Sequence, residues 1–431
     1  MKFNIYTLGC KVNTYESEAI TSLLEEKGMI LTSNDLEADV IIVNTCTVTH
    51  TSDSKSRKML RSLANKNPNA LIVVMGCYSQ LNKEEASQFA NIVIGTTNRT
   101  GIYDFIMSYL NTKESINVVD ELFNDCSYEE MRVNKLTKHT RGFIKIQDGC
   151  ENFCAYCAIP YSRGPIRSRN PESVISEVND LVNQGVNEII LSGINTGTYG
   201  YDLKTINLAK LIERICLETS IKRIRLSSIE LMEITDELLD TIKKYQDRVA
   251  NHLHIPLQAG SDNTLKRMNR KYLTDEYRTK IKQIKEMFND VAITTDCLAG
   301  FVGETEEDFK EAIDFIKEMQ FASMHIFPYS RRKNTKADSL DGHLNPAVIH
   351  NRASIMIETA KVLKQKYESN FLNKTVSVLI ETTKKGYYIG HSSNYLEVYV
   401  KSDIDLTNKF CDVLITSIEN DIMKGEVVCV L

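Results

Sequence analysis

The sequence lacks the features that mark membrane-bound, secreted and low-complexity proteins. No apolar run approaches the roughly 20 residues that a membrane-spanning helix needs. The first residues alternate like a strand and do not form the hydrophobic segment of a secretory signal. Proline (7 residues) and glycine (19 residues) are scarce among the 431 residues, and we find no low-complexity tract. We therefore expect a cytoplasmic protein without a membrane segment, long enough for two or three domains.

An excess of positive charge is also absent. The chain carries 52 Lys+Arg against 57 Asp+Glu, a formal net charge of -5. This net charge argues against a globally basic nucleic-acid-binding protein, although a local basic surface remains compatible with it.

The chain does contain 11 cysteines. In a reducing compartment they do not form a disulfide framework, which leaves metal ligation, catalysis or burial for each of them.

The order of apolar and helical patterns divides the chain into four parts. Residues 1–112 alternate short apolar runs with helical patterns, an order that predicts a parallel sheet covered by helices. Residues 113–140 are charged and weakly periodic, and we interpret them as a linker. Residues 141–370 show longer β/α units and predict a partial (β/α)6 barrel, whereas residues 371–431 show strands alone and predict a small β-barrel. The expected fold class is therefore α/β with a small C-terminal β-barrel.

Three cysteines lie close together on a loop that follows a predicted strand. Cys150, Cys154 and Cys157 are separated by three and then two residues, a spacing that lets one short loop hold three corners of a cubane iron–sulfur cluster. The alternative is a structural zinc site, which usually draws on two spaced cysteine pairs or four ligands overall. No fourth cysteine or histidine lies nearby in the sequence. The pattern therefore favours a cluster with one open iron.

A second set of cysteines is visible only once the strands are assigned. Cys10, Cys46 and Cys77 each follow or end a predicted strand of the N-terminal sheet. The carboxyl ends of parallel strands share one edge, so we expect the three thiols to converge and to bind metal. The alternative is that these three cysteines are ordinary core residues, because cysteine is often buried.

The five other cysteines lack such a pattern. We interpret them as ordinary core or surface residues, namely Cys126, Cys216, Cys297, Cys411 and Cys429.

An open iron on the central barrel should meet a small molecule at the carboxyl ends of the strands. Gly193, Glu230 and Gln258 lie on the loops that follow predicted strands of this barrel. A glycine there permits close approach of the backbone. Glu230 has an alternative interpretation as a solvated carboxylate at a helix start, where the helix dipole favours negative charge.

The cysteine pattern also carries a resemblance. The spacing of Cys150, Cys154 and Cys157, with aromatic Tyr156 before the last cysteine, resembles the radical S-adenosylmethionine signature. The whole chain resembles the methylthiotransferase family, and the C-terminal strands occupy the position of that family's TRAM domain. The matching stretches are residues 7–13, 43–46, 76–77, 147–150, 225–228, 254–258 and 303–306.

The resemblance implies an enzyme with two [4Fe-4S] clusters. The cluster at Cys150, Cys154 and Cys157 would bind S-adenosylmethionine and cleave it, and the radical formed would activate C2 of an adenine. The cluster at Cys10, Cys46 and Cys77 would carry the sulfur. The candidates for contacts with S-adenosylmethionine are Tyr156, Gly193, Glu230 and Gln258. The implied partners are the anticodon stem-loop of tRNA at position 37 and an electron donor such as flavodoxin or ferredoxin.

The residues around Cys10 indicate a branch of the family. The run from Cys10 through Lys11 to Asn13 resembles the branch that acts on N6-threonylcarbamoyladenosine, giving 2-methylthio-N6-threonylcarbamoyladenosine. The branch for isopentenyladenosine usually has glutamine and methionine after that cysteine, and the branch for a ribosomal-protein aspartate has proline and lysine. Both stay as alternatives, and a non-catalytic iron–sulfur RNA-binding module is a more remote one.

Basic side chains cluster on three of the predicted strand-end loops. If they share one face, an acidic protein would present a basic rim along which RNA phosphates could bind. The alternative for each cluster is ordinary solvated charge. The residues are Arg163, Arg167, Arg169, Lys266, Arg267, Arg270, Lys271, Arg331, Arg332, Lys333 and Lys336.

Overall fold

A computed structural model describes residues 1–123, 127–134 and 140–431. Cys126 lies outside the described residues, so its interpretation stays open. Of the four other cysteines without a predicted metal role, Cys216, Cys297 and Cys411 are buried and Cys429 is exposed. No helix in the described ranges has the length and apolar character to cross a membrane.

The N-terminal domain is a parallel sheet of six strands in the order β2-β1-β3-β4-β5-β6. Its central strands β3 and β4 are buried along their whole length, because helices cover both faces, and this explains their continuous apolar sequences. Strand β6 extends the sheet past residue 112, into the segment interpreted as a linker. The elements are β1 Lys2–Thr7, α1 Lys11–Glu26, β2 Ile30–Leu31, β3 Val40–Thr45, α2 His50–Lys66, β4 Leu71–Gly76, α3 Cys77–Leu81, α4 Lys83–Ala86, β5 Ile92–Ile94, α5 Ile102–Thr112 and β6 Ile116–Val118.

The central domain is the predicted partial barrel. Two three-stranded parallel sheets, β11-β10-β7 and β12-β13-β14, meet through a bridge between Ile224 and Val249. Thr305 and Asp308 form the capping box that starts α12. The elements are β7 Arg141–Lys145, β8 Gln147–Asp148, α6 Ile159–Arg163, β9 Arg167–Ser168, α7 Pro171–Asn183, β10 Glu188–Ser192, α8 Leu208–Glu218, β11 Arg223–Leu226, α9 Asp236–Lys244, β12 His252–His254, α10 Asp262–Arg267, α11 Thr274–Met287, β13 Ala292–Ala299, α12 Glu306–Met319, β14 Ser323–Pro328 and α13 Pro346–Ser369.

Side chains alternate between the two faces of these strands. Outward residues such as Ile189, Ile224 and Leu253 pack with the surrounding helices into one apolar core. The inward residues are mostly polar. We call this interior the lumen and define it by Arg141, Glu188, Arg223, Arg225, His252, His254, Asp296 and His325.

The C-terminal domain is a closed five-stranded barrel in the order β15-β16-β17-β19-β18. It packs against the amino-terminal ends of the central strands. There Arg225 donates to the backbone of Ser392 at 2.9 Å, and Arg141 pairs with Glu381 at 3.0 Å. The strands are β15 Thr375–Lys384, β16 Tyr387–Ser392, β17 Glu397–Val400, β18 Phe410–Glu419 and β19 Ile422–Val430. The predicted fold class is confirmed in all three parts.

Candidate active site

The structure brings Cys10, Cys46 and Cys77 together at the carboxyl edge of the N-terminal sheet. Cys10 precedes the first turn of α1, Cys46 follows β3 and Cys77 begins α3. A Cβ atom placed on Gly9 would lie 3.0 Å from the Cβ of Cys46, so the first two loops touch. The third loop depends on Gly76, whose φ of +104° is suited to glycine and whose added Cβ would lie 2.6 Å from a backbone oxygen.

Hydrogen bonds between two asparagines fix this arrangement. The Cys10 thiol donates to Oδ1 of Asn13 at 3.3 Å, and Nδ2 of Asn13 donates to Oδ1 of Asn44 at 3.0 Å. Cys46 and Cys77 are buried while Cys10 is exposed, so one side of the set is accessible. Burial raises the pKa of Cys46 and raises the pKa of Cys77 to about 11. Such thiols hold their protons unless a metal displaces them, because a coordinating thiol is deprotonated.

Cys150, Cys154 and Cys157 lie on the loop between β8 and α6. The backbone amide of Ile159 donates to the sulfur of Cys157 at 3.4 Å, and Nη1 of Arg270 donates to the sulfur of Cys154 at 3.2 Å. Each of the three thiols is partly exposed. Burial raises the pKa of Cys150 to about 12. The donors around these sulfurs are those that stabilise thiolates on a cluster.

Neither cysteine set is packed like a site for a single metal ion. Among the described residues, no group of three or more His, Cys, Asp or Glu side chains is gathered closely enough to hold one ion. In a zinc site every sulfur lies about 2.3 Å from the same metal. The thiolates of a cubane each bind a different iron and stand farther apart. Each set offers three thiols, the number that leaves one iron of a cubane without a protein ligand.

Two of the residues predicted to contact S-adenosylmethionine meet at Arg270. The hydroxyl of Tyr156 lies 3.5 Å from Nη1 of Arg270, and the guanidinium pairs with the Glu230 carboxylate. Glu230 is 21% exposed and held by this partner, which makes a solvated carboxylate the poorer interpretation. Gly193 and Gln258 lie elsewhere on the strand-end face. Gly193 approaches the side chain of Gln147, and the backbone of Gln258 pairs with β13.

Arg270 and Glu233 are not among the residues predicted from the sequence to contact S-adenosylmethionine. Both line a narrow cleft beside Cys154, together with Asn152 and Glu230. Burial, with the neighbouring charge of Glu230, raises the pKa of Glu233 to about 7. In the sequence Arg270 belongs to a run of basic residues, and no sequence signal separates it from its exposed neighbour Lys271.

The expectation of a continuous basic rim is corrected by the structure. Arg163, Arg167 and Arg169 are buried because carboxylates pair with them inside the protein. Arg332 is likewise buried and pairs with Asp53 at 3.2 Å. The exposed members are Lys266, Lys271, Arg331, Lys333 and Lys336.

The buried arginines form an ion-pair network between the two cysteine sets. Glu16 on α1 pairs with Arg163, with Lys145 at 3.0 Å and with Arg99, and all four side chains are at most 1% exposed. Arg163 also donates from Nε to the sulfur of Cys77 at 3.2 Å. Since Arg163 ends α6, the helix after Cys157, it links the loop of one set to a cysteine of the other. We call Glu16, Arg99, Lys145, Asp148 and Arg163 the buried network.

Comparisons with known proteins agree with this architecture. The family model "Radical SAM superfamily" matches residues 144–316, and "Uncharacterized protein family UPF0004" matches residues 2–95. Among solved structures, the radical S-adenosylmethionine methyltransferase TsrM from Kitasatospora setae aligns with a TM-score of 0.55 at 14% identity, covering 76% of each chain. At that identity the likeness concerns the fold alone. The fold and the cysteine loop define a radical S-adenosylmethionine enzyme, a class that implies a [4Fe-4S] cluster and S-adenosylmethionine.

Full-length relatives narrow the class. The chain is 39% identical to threonylcarbamoyladenosine tRNA methylthiotransferase MtaB of Bacillus subtilis, over 99% of this chain and 96% of that protein. It is 36% identical to the MtaB protein of Thermotoga maritima, over 93% and 90%. The tRNA-2-methylthio-N(6)-dimethylallyladenosine synthase of Thermoanaerobacter pseudethanolicus is 35% identical, over 100% and 93%. The chain belongs to the methylthiotransferase family of radical S-adenosylmethionine enzymes.

Proposed function

We propose that this enzyme adds a methylthio group to C2 of N6-threonylcarbamoyladenosine at position 37 of tRNA. The observation that carries the proposal is the pair of cysteine triads, one on the barrel loop and one at the sheet edge, joined through Arg163. Transfer of a methylthio group needs two tasks, activation of the purine and delivery of sulfur, and the two triads divide these tasks between them. The 39% identity to the MtaB protein of Bacillus subtilis supports the choice of substrate.

In this proposal Cys150, Cys154 and Cys157 hold the cluster that binds S-adenosylmethionine, and Cys10, Cys46 and Cys77 hold a second cluster. When bound, these groups supply radical generation and sulfur delivery, chemistry that protein side chains alone do not perform. The chain supplies binding, orientation and exclusion of water.

The residues around Arg270 are the ones that orient the small molecule. Arg270 is held between Cys154, Tyr156 and Glu230, so its guanidinium has a fixed position in the cleft. A fixed guanidinium suits a carboxylate, which it binds through parallel hydrogen bonds. We assign Tyr156 and Glu230 to holding Arg270 and the small molecule in place, and Gly193 and Gln258 to the remaining walls of the site.

The proposed partners are the anticodon stem-loop of tRNA and a small electron-donating protein such as flavodoxin or ferredoxin, in the cytoplasm. The exposed cations supply phosphate contacts from helix α10 and from the segments that follow α10 and β14, namely Lys266, Lys271, Arg331, Lys333 and Lys336. Binding through such contacts weakens steeply as salt is raised.

Mass spectrometry of digested tRNA from a strain that lacks the protein tests the substrate. We expect loss of 2-methylthio-N6-threonylcarbamoyladenosine from the tRNA, and full retention of this nucleoside would contradict the proposal. The second candidate substrate is dimethylallyladenosine, favoured by the 35% identity to synthases of its methylthio derivative. Loss of that nucleoside instead would select it. Loss of neither, with a ribosomal protein losing mass, would indicate the ribosomal-protein branch.

Iron and sulfide analysis tests the two cluster sites. We expect the purified triple variants Cys10→Ala/Cys46→Ala/Cys77→Ala and Cys150→Ala/Cys154→Ala/Cys157→Ala each to keep about half of the wild-type iron. Cys216→Ala is the control, because that buried cysteine lies in the helical core away from both sets. Wild-type iron content in either triple variant would contradict the assignment. Release of deoxyadenosine from S-adenosylmethionine and a reductant would exclude a non-catalytic module.

A further inference from the structure

Arg163 divides its hydrogen-bond donors between two carboxylates and one sulfur. Nη2 donates to the Glu16 carboxylate at 3.2 Å, and Nη1 donates to both carboxylate oxygens of Asp148 at 3.3 Å. Nε donates to the sulfur of Cys77 at 3.2 Å. The side chain of Arg163 is fully buried, so bulk water does not compete for these donors. The two carboxylates therefore hold the guanidinium in the orientation that directs Nε at the sulfur.

The two carboxylates that face Arg163 are also shared with other cations. Glu16 pairs with Lys145 at 3.0 Å and with Arg99, and Lys145 pairs with Asp148 at 2.5 Å. Other charged groups meet the edge of the network, where Glu129 lies 2.8 Å from Arg99 and Arg167 lies 3.6 Å from Asp148. Because neither Glu16 nor Asp148 belongs to Arg163 alone, the positive charge of Arg163 is only partly neutralised. It remains available to an anionic sulfur.

The guanidinium contacts one particular sulfur of its set. Cys10, in the same set, faces the neutral side chain of Asn13 at 3.3 Å. The other set has a comparable contact, where Arg270 donates to the sulfur of Cys154 at 3.2 Å. Hydrogen bonds to the sulfurs, together with net charge and burial, set the reduction potential of an iron–sulfur cluster. Arg163 supplies both a hydrogen bond and a positive charge at Cys77.

We propose that Arg163 raises the reduction potential of the second cluster, the one held by Cys10, Cys46 and Cys77. This inference rests on the proposed function and deepens it, because it assigns a task to the buried network at the sulfur-delivering site. One-electron reduction adds one negative charge to the cluster. A buried guanidinium 3.2 Å from the Cys77 sulfur stabilises that charge through a charge-assisted hydrogen bond in surroundings of low dielectric constant.

The reduction potential of the second cluster is the direct readout. It is measured in the full-length triple variant that lacks the three barrel-loop cysteines, after anaerobic reconstitution with iron and sulfide. Dithionite supplies the electron, and electron paramagnetic resonance follows the reduced cluster. Arg163→Gln and Glu16→Gln are introduced into this background, with Arg169→Gln as the matched control. Arg169 is equally buried and pairs with Glu177, but it contacts no cysteine in the part of the chain that the structure describes.

Arg163→Gln removes the charged donor, and the reduction potential should fall. We expect about a tenfold lower ratio of reduced to oxidised cluster at a given potential, as for one hydrogen bond to a charged group. For a one-electron couple this is about 59 mV. Glu16→Gln removes an anion that faces Arg163, so the potential should rise. Arg169→Gln should leave it unchanged. A general loosening of the fold would not move the potential in opposite directions.

An unchanged potential in an Arg163→Gln protein that keeps its iron would overturn the inference. If Arg163→Gln loses its iron, Glu16→Gln decides, and an unchanged or lowered potential there would overturn it. Loss of iron from both variants would overturn it as well, because the network would then hold the site together and not tune it. An equal fall in Arg169→Gln would also do so.

The proposed function fails by a different result. If the triple-variant background holds no iron after reconstitution, the second cluster site is refuted, and the inference falls with it. If the background holds its cluster and the potential ignores both network variants, only the role of Arg163 is wrong.

Discussion

Replacing Glu16 by glutamine removes the carboxylate shared by three buried cations of the buried network. Arg99, Lys145 and Arg163 would keep their charges at sites that are at most 1% exposed. The nearest remaining anion is Asp148 for Lys145 and Arg163, and Glu129, at 2.8 Å, for Arg99. Breaking a buried ion pair from one side costs about 3–5 kcal/mol, and because these two carboxylates compensate in part we expect about 3 kcal/mol. In a domain of roughly 150–250 residues, a loss of about 3 kcal/mol in the free energy of unfolding lowers the unfolding midpoint by about 10 °C.

The assay is thermal unfolding of the anaerobic holoprotein, followed by circular dichroism. Glu172→Gln is the matched control, because Glu172 forms an ion pair with Arg214 on the surface and is 72% exposed. Exposed pairs of this kind contribute little, so the control midpoint should match the wild type. A midpoint for Glu16→Gln equal to that of the control would refute the reasoning.

The same variant should change how stability depends on pH. Burial alone would raise the pKa of Glu16, but Arg163, Arg99 and Lys145 together hold it well below the ordinary range. A carboxyl with a lowered folded-state pKa stabilises the protein above its ordinary pKa, and this contribution fades as the pH falls below it. The difference in midpoint between the wild type and Glu16→Gln should therefore narrow in acid. A difference that widens in acid would contradict the assigned charge.

Three further predictions follow from the two sites. Gly76→Ala should lower iron content toward half because its Cβ would clash with the backbone, whereas Gly28→Ala, with φ of +83° but nothing within 4 Å, should keep full iron content. Since burial raises the pKa of Glu233 from 4.5 to about 7, the unfolded state loses this proton first, and stability falls as the pH rises between these two values and then levels off. The unfolding midpoint of Glu233→Gln relative to the wild type, read by calorimetry, should therefore rise as the pH is raised toward 7 and should not fall. Arg270→Lys should raise the KM for S-adenosylmethionine about tenfold, since lysine lacks the paired donors; an unchanged KM would remove Arg270 from the binding site.

The cysteine positions were predictable because they follow from the chain's own regularities. Alternation of strands and helices places Cys10, Cys46 and Cys77 at one edge whatever the details of packing, and the Cys150–Cys157 spacing is local. The strand β6 was not predictable, because its three residues are too short to give a period and they lie in a charged segment.

The burial of the arginines was not predictable for a different reason. Arg163 and Glu16 are 147 residues apart in sequence, and only tertiary structure shows that they meet. The sequence of a basic loop does not show whether its side chains face solvent or pair with a buried carboxylate. The position of Arg270 was not predictable for the same reason, since its partner Glu230 lies 40 residues away in the sequence.

The buried network has a consequence for the order of synthesis. Glu16 and Arg99 leave the ribosome first, whereas Lys145, Asp148 and Arg163 emerge only with the first elements of the central domain. Until then the face of α1 that carries Glu16 is open to water, and Cys77 lacks the guanidinium that contacts its sulfur. The N-terminal half is thus complete only as part of the longer chain, and iron delivered to it during translation would meet an unfinished site.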